Sequence, residues 1–100
     1  MYGLIGRIIA VAGKRDELAA ILVPAEGGGM PGCLSYIVAK DGTNADALWV
    51  TEVWVDQAAH RASLQLPAVQ AAIAKGRPLI ADFDNRTETN VLGGIGLARP

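Results

Sequence analysis

The fold is most clearly indicated by residues 48–60, which read LWVTEVWVDQAAH. β-Branched and aromatic side chains dominate residues 48–55, and this composition is typical of a strand. Asp56 comes directly after them, and aspartate is a favoured N-cap because its carboxylate accepts hydrogen bonds from the free N–H groups of a first helical turn. We therefore predict a strand over residues 48–55 that leads into a helix over residues 57–64.

Two more strands and a helix are predicted on the N-terminal side of this unit. Residues 4–11 form an apolar, β-branched run, which is typical of a strand covered on both faces. Residues 14–23 carry apolar side chains at spacings of three and four, as an amphipathic helix does, and this helix should end before Pro24. A glycine-rich connection, residues 27–32, leads into a further apolar run that we predict as a strand over residues 33–40.

The C-terminal part completes an α+β pattern. A proline opens a second short helix over residues 67–75, and a weaker strand follows over residues 79–87. The resulting order is the ferredoxin-like βαββαβ arrangement, an antiparallel sheet with helices on one face. One hundred residues suffice for one domain. We assign this domain to residues 1–88 and expect residues 89–100 to form an extended C-terminal arm.

The apolar content exceeds what a monomer of this size readily buries. Hydrophobic residues make up 51% of the chain and the mean hydropathy is +0.28, whereas a chain of this length hides roughly two-thirds of its unfolded surface. A ferredoxin-like sheet also has one face that its own helices leave bare. The simplest cover is the sheet of a second copy, about 10 Å away, so we predict a homodimer.

Charge and cysteine content narrow the set of partners. The net charge of −1 and the pI near 5.7 come without a Lys/Arg cluster, so we expect neither nucleic acid nor a membrane surface as a partner. The single cysteine, Cys33, has no internal disulfide partner, which fits a reducing compartment. Arg7 interrupts the first apolar stretch, which therefore does not resemble a signal peptide. We expect a cytoplasmic protein.

Glu52 stands out because it lies in the most apolar strand of the chain. A carboxylate there needs a partner or a raised pKa. Period-two geometry places Glu52 on the same face as Trp54 and on the face opposite to Trp49. Two interpretations stay open: an ion pair with Arg7 or Arg86, across the sheet or a dimer interface, or a pocket carboxylate that acts as a base.

Two further side chains could carry chemistry. The sole histidine, His60, falls near the start of the helix that follows this strand. It is either a half-buried helical side chain or a pocket base, a role that suits histidine because it titrates near neutral pH. Tyr36 lies on the neighbouring strand, and its hydroxyl needs a partner wherever it is buried.

The sequence does not indicate a metal or cofactor site. One histidine and one cysteine cannot form a usual zinc site, and there is no dinucleotide fingerprint. Asp82, Asp84 and Glu88 alternate along the last predicted strand, a pattern that describes a solvated face as well as a set of carboxylate ligands. We therefore expect no metal, haem or flavin.

Four short motifs resemble one known family, the antibiotic biosynthesis monooxygenase (ABM) domain. They are residues 31–36 (PGCLSY) entering a strand, residues 52–54 (EVW), residues 56–60 (DQAAH) opening a helix, and residues 13–18 (GKRDEL) in the first helix. In this order and spacing the resemblance extends over roughly residues 3–88.

The resemblance implies a dimeric ferredoxin-like α/β barrel with a pocket between the helices and the sheet of each subunit. Characterised enzymes of this family oxygenate polycyclic phenols or quinols with O₂ and without metal or flavin. For this chain it implies a cofactor-independent monooxygenase that acts on a phenolic or quinol-type aromatic substrate. His60 and Tyr36 would be catalytic, and Trp54, Glu52 and Arg86 would bind the substrate.

The chain differs from the family pattern at several positions, so other functions stay open. Haem-degrading relatives use an asparagine on the first strand, where this chain has Gly6 or Arg7, together with a helical tryptophan and a histidine ligand that it lacks. Many members place a histidine later on the second helix, whereas residues 63–67 read SLQLP. The alternatives to an oxygenase are a non-catalytic domain that binds or senses a small molecule on the same scaffold, and a purely structural role.

Overall fold

The predicted order of strands and helices is present in the computed structural model, which describes residues 1–24 and 30–98. Half of the predicted glycine-rich connection, residues 27–29, lies outside the described residues. A short 3₁₀ turn precedes the last strand. The elements are β1 (Tyr2–Ala10), α1 (Arg15–Leu22), β2 (Cys33–Lys40), β3 (Ala47–Trp54), α2 (Gln57–Ser63), α3 (Pro67–Gly76), the 3₁₀ turn (Arg77–Leu79) and β4 (Ile80–Asn90).

The four strands form one antiparallel sheet in the order β2-β3-β1-β4. This is the ferredoxin-like α+β fold that the sequence predicted. Leu4 of β1 pairs with Glu52 of β3, and Glu52 pairs with Tyr36 of β2. Because directly paired residues share a face, Tyr36, Glu52 and Leu4 lie side by side on the face that carries the helices.

The helices begin where local chemistry favours a helix N-terminus. Asp16 and Glu17 occupy the first turn of α1 and interact favourably with its dipole. The Asp56 carboxylate accepts a 2.8 Å hydrogen bond from the Ala59 N–H and caps α2, as predicted. Pro67 opens α3, where its missing N–H costs nothing.

The hydrophobic core lies between the sheet and the pair α1 and α3. Leu18 and Leu48 are fully buried, and Ile8, Ala10 and Val50 complete the central cluster. α1 and α3 approach closely at Gly76, where a Cβ would come within 3.3 Å of Leu18 Cδ1. Because Gly76 has no Cβ, the two helices can pack closely against each other at the end of α3. None of the helices in the described ranges is long and apolar enough to cross a membrane.

The strand β4 departs from the regular alternation that the sequence suggested. Its register against β1 shifts between Arg7 and Ile8, so that Arg7 pairs with Asn85, Ile8 pairs with Phe83, and Asp84 is an extra, unpaired residue. Such a β-bulge exchanges the faces on which successive side chains lie.

The bulge at Asp84 also separates Asp82 from Glu88, which are an even number of residues apart and would otherwise lie on the same face. Asp82 pairs with Ile9 and Glu88 pairs with Leu4, and these two β1 residues point to opposite faces. The described part of the chain contains no group of three or more His, Cys, Asp or Glu side chains that could hold a metal ion.

The segment after β4 has no helix and no strand within residues 91–98. It is hydrogen-bonded at both ends, from the Val91 N–H to the Met1 carbonyl (2.9 Å) and from the Ala98 N–H to the Leu34 carbonyl (2.9 Å). Between these anchors the side chains of Leu92 and Ile95 are almost completely exposed. β4 itself ends at Asn90, three residues later than predicted.

Candidate functional site

A cavity of about 1010 Å³ lies between the helices and the sheet. Its wall is mainly apolar, because helix side chains and one face of β1 and β4 enclose it. The apolar lining includes Ile8, Ile21, Leu22, Leu64, Val69 and Ile80. Large, mostly apolar clefts with a few polar groups are typical of small-molecule sites.

One group of polar side chains in the cavity wall lies at the end of the sheet beneath α2, whereas Arg77 and Asp82 line the cavity around the start of β4. Tyr36 and Glu52 are paired across β2 and β3, and Trp54 follows Glu52 by two residues on the same face. His60 of α2 lies over these side chains and lines the same part of the cavity. The structure thus brings together four of the five residues to which the sequence assigned a site role.

Glu52 is a buried carboxylate with few partners. Its Oε1 accepts a 3.1 Å hydrogen bond from Trp54 Nε1 and lies 4.0 Å from His60 Nε2. The Glu52 side chain is 14% exposed and that of His60 is 12% exposed. Burial raises the pKa of Glu52, although the Trp54 hydrogen bond and the nearby His60 and Arg86 act in the opposite direction.

The expected ion pair between Glu52 and Arg7 is wrong. Arg7 lies on the other face of the sheet, where it donates to Asp84 and, at 3.2 Å, to Asp41. In the described residues the only side chain of a basic type within 4.0 Å of the Glu52 carboxylate is His60. The second interpretation, a pocket carboxylate, fits this geometry.

His60 is held by aromatic neighbours on two sides. The Tyr2 ring lies with its centroid 5.6 Å away, and the Trp54 ring lies 5.5 Å away in a T-shaped arrangement. The backbone carbonyl of His60 accepts a 2.6 Å hydrogen bond from Ser63 Oγ. The two ring contacts hold the imidazole beside Glu52, and the His60 side chain is as well shielded from solvent as the Glu52 carboxylate.

Tyr36 is suited to donate a hydrogen bond. Burial, followed by the negative charge of Glu52 and the neighbouring Cys33, raises the pKa of Tyr36 to about 12. The phenol therefore keeps its proton at neutral pH. A protonated hydroxyl in an apolar cavity can donate to an oxyanion that forms on a bound molecule.

Arg86, the fifth predicted site residue, is not part of the cavity wall. The β4 register places it opposite Gly6, on the helix side of the sheet but beyond the part of β4 that the cavity touches. Its charge acts on Glu52 and Tyr2 from a distance. Arg77, in the 3₁₀ turn, is the arginine that lines the cavity.

Sequence reasoning missed three residues of this region. Phe83 lines the cavity, although strict alternation along β4 would have grouped it with Asn85 on the other face. Arg77 lies in a turn that no motif marks. Tyr2, which contacts His60, lies two residues before the start of the predicted first strand. Only its aromatic side chain next to an apolar run could have suggested a role.

The class of protein follows from this geometry: a ferredoxin-like domain with a ligand-sized cavity between its sheet and its helices. The sequence model of one family, antibiotic biosynthesis monooxygenase, matches residues 1–75. The chain belongs to this ABM family. No curated protein sequence matches the chain.

Solved structures agree with this assignment. A protein of Chloroflexus aurantiacus named as a candidate antibiotic biosynthesis monooxygenase is 56% identical, with a TM-score of 0.92, over 97% of this chain and 98% of its own. One of Deinococcus radiodurans, named in the same way, is 28% identical with a TM-score of 0.77, over 95% and 96%. SnoaB of Streptomyces nogalater, described as a cofactor-independent oxygenase, is 14% identical with a TM-score of 0.76, over 94% and 95%, and shows the shared fold.

Proposed function

We propose that this protein is a cofactor-independent monooxygenase that oxidises a phenolic or quinol-type aromatic substrate with O₂. The observation that carries the proposal is the meeting of Tyr36, Glu52 and His60 at the polar end of a large apolar cavity. Membership of the ABM family supports a monooxygenase activity. The scaffold alone would not, because one fold hosts many functions.

The polar end supplies the proton chemistry that a phenol needs. His60 accepts the proton of the phenolic hydroxyl as a general base. Glu52, 4.0 Å from its Nε2, then stabilises the imidazolium. Tyr36 donates to the resulting phenolate oxygen, and the Trp54 ring forms the wall beside it.

Electron transfer to O₂ then proceeds from the substrate itself. The phenolate passes one electron to O₂, and the substrate radical and superoxide combine at a ring carbon that carries hydrogen. The proton held by His60 completes a hydroperoxide. Loss of water leaves a carbonyl at that carbon, so one oxygen atom enters the product and the other leaves as water. The apolar wall excludes bulk water from these reactive species.

The experiment that tests this function is oxygen uptake with a panel of hydroquinones and anthrones. We expect His60→Ala to lower turnover by about 10²–10⁴-fold, as the loss of a proton-transfer group does. Tyr36→Phe should lower it by about 10²-fold, because it removes one oxyanion donor. Arg61→Ala is the matched control, since Arg61 is the exposed neighbour of His60 on α2, and its turnover should stay at the wild-type value.

Two results would contradict the proposal. Unchanged turnover in His60→Ala removes His60 from the mechanism. Absence of oxygen uptake with every panel member, together with measurable binding of the same compounds, favours the non-catalytic binding domain. A cavity lined only by aliphatic side chains would have suited that alternative better, whereas this one holds a buried carboxylate and an imidazole.

We also propose that the protein works as a homodimer through the sheet face that carries no helices. Apolar side chains on this face include Ile5, Ile9, Ile37 and Val53, and Ile37 is 56% exposed. Light scattering after size exclusion at micromolar concentration should give twice the chain mass of 10.4 kDa. Ile37→Asp should give the single-chain mass, and Gln65→Asp, on the helix side, should not.

A further inference from the structure

Phe83 is an exposed aromatic side chain on the wall of the cavity. It is 64% exposed, and it lines the cavity together with Ile8, its direct partner on β1. Ile8 is buried in the core. An exposed phenylalanine next to a buried cavity residue therefore lies where the cavity meets solvent, and aromatic side chains are common in the linings of small-molecule sites.

The orientation of Phe83 depends on the β-bulge at Asp84. Without the extra residue, alternation from Arg86 would put Phe83 on the helix-free face and Asp84 on the cavity face. The bulge reverses both. β-Bulges next to functional sites often re-aim a side chain in this way.

An ion pair on the opposite face holds this bulge. Arg7 Nε donates to Asp84 Oδ1 at 2.8 Å, and a second guanidinium nitrogen contacts the other carboxylate oxygen. The Phe83 N–H donates to Asp82 Oδ1 at 2.8 Å and fixes the preceding peptide. Arg7 also donates to Asp41 at 3.2 Å, so its position is set by two carboxylates.

We propose that Phe83 determines specificity for planar substrates: its ring forms the face on which an aromatic substrate stacks at the mouth of the cavity, and the Arg7–Asp84 ion pair positions it. Aromatic rings prefer offset-stacked or edge-to-face pairs with centroids 4.5–7 Å apart. Phe83 pairs with Ile8, whereas Tyr36 is in line with Leu4, four residues and about 13 Å further along β1. Only an elongated polycyclic substrate would therefore reach both Tyr36 and Phe83, whereas a two-ring compound can occupy the Phe83 end of the cavity by itself. The inference rests on the proposed function only in needing the cavity to bind an aromatic ring, and it requires no turnover.

Binding of two matched probes without oxygen tests the proposal. The probes are 2-naphthol, which is planar, and decahydro-2-naphthol, which has the same skeleton but no aromatic ring. Calorimetry under anaerobic conditions gives the Kd of each. We expect Phe83→Ala to raise the Kd of 2-naphthol by about tenfold, which is the upper part of the range for an aromatic pair. The Kd of decahydro-2-naphthol should rise by much less.

Further variants separate stacking from size and from folding. Phe83→Leu should keep most affinity for the saturated probe while losing the preference for the planar one, and Phe83→Tyr should retain that preference. Ile73→Ala, another exposed residue of the cavity wall on α3, should change both affinities equally. Asp84→Ala should reduce the preference for the planar probe, and adding it to Phe83→Ala should have no further effect.

The outcomes distinguish this proposal from the proposed function. Equal losses for the two probes in Phe83→Ala would overturn it, as would a wild-type protein that binds neither probe or a Phe83→Ala variant that changes only the oligomeric mass. A wild-type protein that consumes no oxygen but prefers the planar probe through Phe83 would refute the oxygenase and leave the aromatic subsite standing.

Discussion

Each of the two tryptophans donates its indole N–H to a carboxylate, one on each face of the sheet. On the helix-free face, Trp49 Nε1 donates to Asp41 Oδ2 at 2.8 Å. On the helix face, Trp54 Nε1 donates to Glu52 Oε1 at 3.1 Å. The same pair of functional groups thus occurs twice, and the surroundings decide what each carboxylate can do.

Asp41 has a full set of partners. Besides Trp49, it accepts 2.9 Å hydrogen bonds from the Thr43 and Asn44 N–H groups and a 3.2 Å bond from Arg7. The backbone bonds of Thr43 and Asn44, then those of Trp49 and Arg7, hold the pKa of Asp41 well below its usual range. Such a satisfied carboxylate ties the turn between β2 and β3 to β1 and is structural.

Among the described residues, Glu52 accepts one side-chain hydrogen bond and has a histidine nearby, and burial raises its pKa. A buried carboxylate with so few partners lowers the stability of the fold unless another group, such as a ligand, donates hydrogen bonds to it. Perturbed groups of this kind are concentrated at functional sites. The number of hydrogen-bond partners, rather than the residue type, therefore separates the structural acid from the one that is available to a ligand.

Replacing each tryptophan should produce the largest difference between the two faces. Trp54 is 1% exposed, whereas Trp49 is half-buried. Trp54→Ala should therefore lower the free energy of unfolding by about 3–5 kcal/mol, as for other buried aromatic side chains, and Trp49→Ala should lower it clearly less. Urea unfolding measures both. Equal losses would mean that the two tryptophans are equally important to packing.

Replacing the two carboxylates should have different effects on the rate of oxygen uptake. Glu52→Gln keeps an oxygen that can accept from Trp54 but cannot stabilise a charged His60, so oxygen uptake should fall by about 10²-fold. Asp41→Asn, on the other face, should leave turnover within about threefold of wild type, as for a substitution outside the reaction. Comparable losses in both variants would show that Glu52 acts through the fold alone.

The two acids should also give opposite trends of stability with pH. Because the pKa of Glu52 is raised, its carboxyl binds a proton more tightly in the folded state than in the unfolded state. The contribution of Glu52 to stability therefore falls as pH rises from the ordinary pKa of 4.5 through the raised pKa of the folded state. The lowered pKa of Asp41 gives stability that is present above the ordinary value of 3.8 and is lost as pH falls below it.

Unfolding of three proteins across pH measures these trends. Relative to wild type, Glu52→Gln should be the more stable at neutral pH, and its advantage should shrink towards pH 4. Asp41→Asn should be the less stable at neutral pH, and its deficit should shrink in acid. A Glu52→Gln variant that is destabilised at neutral pH would contradict the difference between the two carboxylates.

The sequence was sufficient for the strand that carries Glu52 and Trp54. β3 alternates without interruption, so period two placed Trp54 with Glu52 and Trp49 on the other face, as observed. The βαββαβ order followed from local signals of the same kind, of which the last strand had the weakest. These features depend on neighbouring residues alone, which is why they could be predicted.

The sequence was not sufficient for β4 or for distances between elements. The bulge at Asp84 depends on Arg7, which is 77 residues away in the chain, so strict alternation along β4 would place Phe83 on the wrong face. The approach of His60 to Glu52 depends on how α2 packs over the sheet. The family resemblance implied that Arg86 binds the substrate, yet the register places it beyond the cavity.

The most direct test of the account uses the indole N–H signals of the only two tryptophans in the chain. Heteronuclear NMR of the ¹⁵N-labelled protein, titrated with 2-naphthol without oxygen, observes both faces of the sheet in one experiment. We expect the Trp54 signal, in the cavity, to shift to saturation with the ligand while the Trp49 signal stays in place. A shift of Trp49 with an unchanged Trp54 would place the binding site on the wrong face and contradict the account.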